Sequence, residues 1–140
     1  WDTHEDNFNR VRDLSRNLDT GLSALIDDLQ ASGLWEETLL VCVGDFGRTP
    51  RINQRGGRDH YPRVSSLMLG GGAIAPGVVG ASTSDGTEVE SSPVRPQDLF
   101  KTLATALGVA PDEMHMTPGG RPVTTVEADG QLVKQLLRRA

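Results

Sequence analysis

The sequence predicts an α/β fold in which helices cover a sheet on both faces, and three observations carry that expectation. A long amphipathic stripe opens the chain, an apolar run without polar alternation follows it, and a second apolar run then leads to a helix opened by proline. The 140 residues amount to a single domain's worth of chain.

From Asn7 to about Ser32, the residues Val11, Leu14, Leu18, Leu22, Leu25 and Leu29 recur at intervals of three and four, the signature of one helical face. Asp6 or Asn7 is placed to cap this helix, and Gly33 supplies the left-handed residue that ends it, with Leu34 set for the accompanying apolar contact. Thr38 to Val43 (Thr-Leu-Leu-Val-Cys-Val) reads as a strand covered on both sides, the pattern of a mostly parallel sheet between helix layers. Asp45 to Arg63 then has no periodicity, and a loop that long inside a domain is usually functional. Val64 to Leu69 reads as a second strand. The Gly-, Ser-, Thr- and Pro-rich stretch from Gly70 to Pro93 predicts turns and at most a short hairpin. Pro96 opens a helix from Gln97 to Leu107 with Leu99, Phe100, Leu103 and Leu107 on its inner face and Gly108 as its stop. A last short helix is expected from Leu132 to Arg138.

Composition removes several function classes. The formal charge of −5 argues against bulk attraction to nucleic acid or an anionic membrane. Apolar runs fall well short of the roughly 18–20 residues that cross a bilayer. The single cysteine, Cys42, cannot make an internal disulfide and reads as a small core residue of the first strand. The chain opens at Trp1 with no basic n-region or apolar h-region, so any targeting segment is expected to have been removed or to lie upstream, and we expect residues 1–140 to be one partial domain of a longer chain.

Three clusters can carry chemistry. Asp2 and His4 stand two residues apart in an extended segment, so both side chains reach one point, the geometry of a two-ligand chelate. Asp45 follows the first strand, at the sheet edge where α/β proteins bind ligands. His60 closes the long loop just before the second strand. If His60 shares a site with Asp45, the strand near 64–69 must start where strand 38–43 ends and run antiparallel to it. Asp59 points away from His60 in extended chain, and its expected role is to orient that ring or a nearby arginine. Five arginines, Arg48, Arg51, Arg55, Arg58 and Arg63, fall in the loop, and Arg48, close to Asp45, is the one expected to bind an anionic oxygen. Gly70 to Ala75 formally matches a dinucleotide fingerprint, but Pro76 and Gly77 leave no helix to receive a pyrophosphate. His115, between two methionines, has no chelating neighbour in sequence.

Taken together, the segments W-D-T-H, V-G-D-F-G-R-T-P-R-I-N, G-R-D-H-Y-P, the strand entering G-G-G and the helix P-Q-D-L-F-K-T-L-A-T-A-L-G-V resemble one family over Trp1 to about Val123. The chain looks like the C-terminal portion of proteins of the domain of unknown function 1501 family, which is related to the alkaline phosphatase and sulfatase superfamily. The resemblance implies a three-layer α/β/α sandwich with divalent metal, whether Zn, Ca, Mn or Mg, at the carboxyl edge of the sheet. It assigns Asp2, His4 and His60 to a first metal. A second metal in relatives takes an Asp-His pair after a strand, where this chain has Asp45 followed by Phe46. The nucleophile of relatives lies near their N-terminus, and no segment here corresponds to it. The expected function is therefore the metal-binding part of a hydrolase of sulfate or phosphate esters. In it Asp2, His4, Asp45 and His60 ligate the metal, Arg48 meets the anionic ester, and the remainder of the chain is a partner. The alternative is a non-catalytic binding or assembly module. An exported, periplasmic or cell-envelope location is implied by the resemblance alone.

Overall fold

A computed structural model describes residues 1–138. Among the described residues the fold is mixed α/β, with two α-helices and small antiparallel sheets. Helix α1 spans Asn7–Ala31, as the spacing predicts, and ends at Gly33, whose φ of 74° is the left-handed conformation expected there. Its start differs from expectation. Asp6 occupies the cap position with φ 43°, yet its side chain accepts from Asn9 Nδ2 rather than from a helix N–H. The first turn is held instead by the long loop: Asn7 N–H donates to the Gly56 carbonyl at 2.9 Å.

Strand β1, Leu39–Val43, is followed by β2, Gly47–Arg48, and β3, His60–Tyr61, which pair with each other and close the base of the loop. Strand β4, Leu67–Gly71, runs antiparallel to β1 with Val43 opposite Leu67, the direction inferred from the placement of His60. Hairpin β5–β6, Ala81–Ser82 and Val89–Ser91, supplies the short pairing foreseen in the Gly-rich stretch. Helix α2 spans Pro96–Ala106. A second hairpin, β7 (Met114–Met116) with β8 (Pro122–Thr124), was not foreseen, because its three-residue strands are too short to show alternation. Lys134–Leu136 forms one turn of 3₁₀ helix in place of the expected short α-helix. No helix among the described residues is long and apolar enough to cross a membrane.

Every strand pair described is antiparallel and two-stranded, and the expected parallel sheet between helix layers is not seen among the described residues. An unbroken apolar run records that both faces of a strand avoid water, but it does not say what covers them. Here β1 and β4 leave Val41, Val43, Leu67 and Met68 exposed, and Cys42 is only half-buried. Ile74 and Val126 are the only large apolar side chains among the described residues that are buried, and the fully buried side chains are the polar Thr3 and Thr102.

Helix α2 corrects a second expectation. Its buried residues are Asp98 and Thr102, while Phe100 and Leu107 are exposed. Asp98 and Thr102, one turn apart, face the C-terminal segment: Gln131 N–H donates to Asp98 Oδ1 at 2.7 Å and Val133 N–H to Thr102 Oγ1 at 3.0 Å. Arg95 donates to both Asp98 oxygens, and its guanidinium holds that carboxyl far below the usual carboxylate range. Satisfied polar groups thus take the docked face. Of the apolar stripe, Phe100, Leu103 and Leu107 line an open groove of about 610 Å³ with Val109 and Val126.

Candidate metal centre

The segment Trp1–Asp6 lies against the long loop, and a glycine makes the approach possible. A Cβ at Gly57 would stand 2.0 Å from both the carbonyl carbon and the oxygen of His4. Backbone pairing fixes the register, with Arg58 N–H donating to Thr3 O at 3.0 Å and Asp6 N–H to Arg55 O at 3.2 Å. Thr3, almost fully buried, donates to Asn7 Oδ1 at 2.7 Å and ties the segment to the start of α1.

Asn53 is the hub of the loop. Its Oδ1 accepts from the N–H groups of Arg55 and Gly57, both at 2.9 Å, while Nδ2 donates to His4 O at 3.0 Å and Asp59 Oδ1 at 3.1 Å. Sequence reasoning missed this residue; the signal available was the Asn-x-x-Gly turn, in which Gly56 N–H returns to Asn53 O. The β2–β3 ladder places Arg48 opposite His60. Arg48 and Arg58 also exchange bonds, each guanidinium donating to the other's backbone carbonyl.

These constraints bring Asp2, His4 and His60 together, with one ligand atom from each within 4.8 Å of the others. His4 Nε2 is 3.1 Å from His60 Nε2 and 3.2 Å from Asp2 Oδ1, and His60 Nε2 is 2.9 Å from the same oxygen. Asp2 and His4 therefore do project to one side, as extended spacing requires. Asp45 is not brought in: it is exposed, and its Oδ1 accepts from Phe46 N–H at 3.0 Å. Phe46 packs its ring on His60, centroids 4.0 Å apart, with the Arg48 guanidinium carbon 5.6 Å from the same ring centre.

Asp59 orients a ring, but that of His4 rather than His60: His4 Nδ1 lies 2.8 Å from Asp59 Oδ1. The bond to His4 pulls the Asp59 carboxyl below its ordinary value, so Asp59 is an acceptor, and its partnership assigns the His4 proton to Nδ1. The Arg48 guanidinium, and after it His60, hold Asp2 well below the carboxylate range. Of the loop arginines, Arg48 alone donates to this cluster among the described residues, at 2.5 Å to Asp2 Oδ1. Arg63 pairs with Glu88 instead. His115 stands apart and bonds Thr125 Oγ1 at 2.9 Å.

The donor chemistry can be tested against a cation. In the neutral form that any metal-ligating imidazole takes, His4 with its proton on Nδ1 turns the Nε2 lone pair toward His60 and Asp2. One proton on His60 Nε2 satisfies two edges of the triangle and leaves the third, lone pair against carboxylate oxygen at 3.2 Å, without a hydrogen. A shared cation resolves all three. Ligand atoms bound at about 2.0–2.1 Å around a tetrahedral ion lie about 3.3 Å apart, close to the edges seen. The three residues fit a metal ion, and the Asp59 contact is the outer-shell support such a histidine ordinarily has.

No curated protein and no solved structure matches this chain. Over residues 1–137 it matches the family described as "Protein of unknown function (DUF1501)", and the chain belongs to that family.

Proposed function

We propose that this chain carries the metal-binding part of a hydrolase of sulfate or phosphate esters, built on a three-layer α/β/α sandwich. The observation that carries the reading is the convergence of Asp2, His4 and His60, with Asp59 behind His4 and Arg48 at the rim. Two imidazoles and one carboxylate suit Zn²⁺ or Mn²⁺ better than Ca²⁺ or Mg²⁺, which prefer oxygen ligands throughout. A divalent ion held there would polarise an ester oxygen and stabilise the negative charge that develops on it. Arg48 offers a planar fork to an anionic oxygen, and Phe46 shields one face of His60 from water.

In this reading the nucleophile and the rest of the sheet come from another part of the same chain. The accessible surface of 9839 Å² supports it, since a compact 15.1 kDa protein exposes about 7,100 Å². The excess is the size of an obligate interface. The uncovered side chains of β1 and β4 are where the remaining sheet would pack.

Phe46 favours a second reading, a binding or assembly module at the cell envelope that keeps the fold without catalysis, because the resemblance to two-metal hydrolases implies a histidine where this chain has Phe46. Metal content of the purified full-length protein, compared with His60→Ala, tests the site. We expect about one equivalent in the parent and a sharp loss in the variant. Equal content in the two would remove His60 from it.

A further inference from the structure

Asp2 Oδ1 is the meeting point of the cluster. His60 Nε2 lies 2.9 Å from it, His4 Nε2 3.2 Å, and Arg48 donates to this same atom at 2.5 Å. The guanidinium thus occupies the carboxylate atom that faces both imidazoles. Its other groups are already tethered to the loop: it donates to Arg58 O at 3.3 Å and lies over the Phe46 ring. Letting go of Asp2 would leave it anchored beside the cluster.

Resting on the metal reading above, we infer that Arg48 is a built-in counter-cation that competes with the metal for Asp2 Oδ1, so that loading the site releases the guanidinium to an anionic ligand. Charge supports the exchange. Asp2 and Asp59 against Arg48 leave the cluster one net negative charge, and a divalent ion turns it into one net positive. A guanidinium beside a dication is repelled from it and attracted to any anion that joins them. Metal and anion binding are then coupled, each raising affinity for the other.

The opposite role is also chemically reasonable: an arginine that steadies a ligating carboxylate strengthens metal binding, and its loss weakens it. The sign of one measurement separates the two. Zn²⁺ affinity is measured by competition with a chromophoric chelator at fixed pH for the full-length protein, Arg48→Gln and Arg48→Lys, each checked for an unchanged circular-dichroism melt. Competition predicts that Arg48→Gln binds Zn²⁺ about threefold to tenfold more tightly, the modest size reflecting the exposure of Asp2, and that Arg48→Lys stays close to the parent. Equal or weaker binding by Arg48→Gln overturns the inference while leaving the metal site intact. Calorimetry with inorganic phosphate adds a second readout: binding to the Zn²⁺-loaded parent and none to the metal-free parent is expected, and equal binding to both overturns the release. Absence of Zn²⁺ binding by every form removes the metal reading and the inference together.

Discussion

Replacing Gly57 by alanine adds a single methyl, and the structure says where it goes. The new Cβ would lie 2.0 Å from the carbon and oxygen of the His4 carbonyl and 2.3 Å from Glu5 N. These are backbone atoms, which cannot swing aside as a side chain does. Ordinary contact begins at about 3.5 Å, so the N-terminal segment must withdraw by about 1.5 Å. Gly57 is outside the positive-φ glycines, so this effect is steric rather than conformational. Carried to the His4 ring, that withdrawal stretches the 3.1 Å separation of the two Nε2 atoms toward about 4.6 Å, whereas two bonds of about 2.1 Å span at most about 4.2 Å. We expect Zn²⁺ affinity to fall at least 10- to 100-fold, and stability by about 1–3 kcal/mol from overpacking. Chelator competition and thermal unfolding of the full-length protein measure the two effects. Gly21→Ala is the control: it lies mid-helix with nothing within 4 Å of an added Cβ, and should gain about 0.5–1 kcal/mol with unchanged metal binding. A Gly57→Ala protein with parental Zn²⁺ affinity would refute the claim that this contact sets the geometry of the cluster.

Two further outcomes concern the lock between α2 and the C-terminal segment. Thr102→Val keeps the shape of a fully buried side chain but leaves Val133 N–H without its acceptor, and urea unfolding should show a loss of about 1–3 kcal/mol. Asp98 is held below its ordinary value of 3.8 by Arg95 and then by Gln131 N–H, so its stabilisation is complete above that pH and declines as pH falls toward the lower folded value. Asp98→Asn should therefore be the less stable protein at pH 7 and should show a flatter fall in urea midpoint below about pH 4, while an acid limb parallel to the parent's would exclude the contribution.

How much of this was legible in the sequence depended on whether the signal was local. The stripe from Val11 to Leu29 and the glycine at 33 were enough to place α1, because a helix is specified by its own periodicity and ends. Even there the pattern named residues better than it named partners: Leu18 and Leu25 belong to the stripe but are exposed, while Ile26, outside it, is half-buried. The direction of β4 agrees with an inference made from a site shared by His60 and Asp45, but Asp45 stays outside the cluster; what returns the chain to the strand end is the β2–β3 pairing of Arg48 with His60. The inner face of α2 was misread because apolar residues were assumed to face inward. Asp98 and Thr102 take that face by satisfying N–H groups more than thirty residues away, which no local period encodes.

The cluster shows the same division. Asp2 and His4 were readable as a pair because extended geometry alone puts residues i and i+2 on one side. The partner of Asp59 was not, since whether it meets His4 or His60 is decided by how the N-terminal segment docks on the loop, and that rests on Gly57 and Asn53. Asp45 illustrates the converse. Its position after a strand was a sound reason to expect a ligand, but the turn it begins gives its carboxylate a bond to the next N–H. The apolar runs of β1 and β4 are a case where sequence and structure disagree in an instructive way. The pattern demands cover on both faces, and Val41, Val43, Leu67 and Met68 are left exposed. On the proposed reading the pattern and the exposure would have one cause: β1 and β4 would pack against further strands and helices of a larger sheet, and the apolar pattern would record contacts that these two strands do not make by themselves.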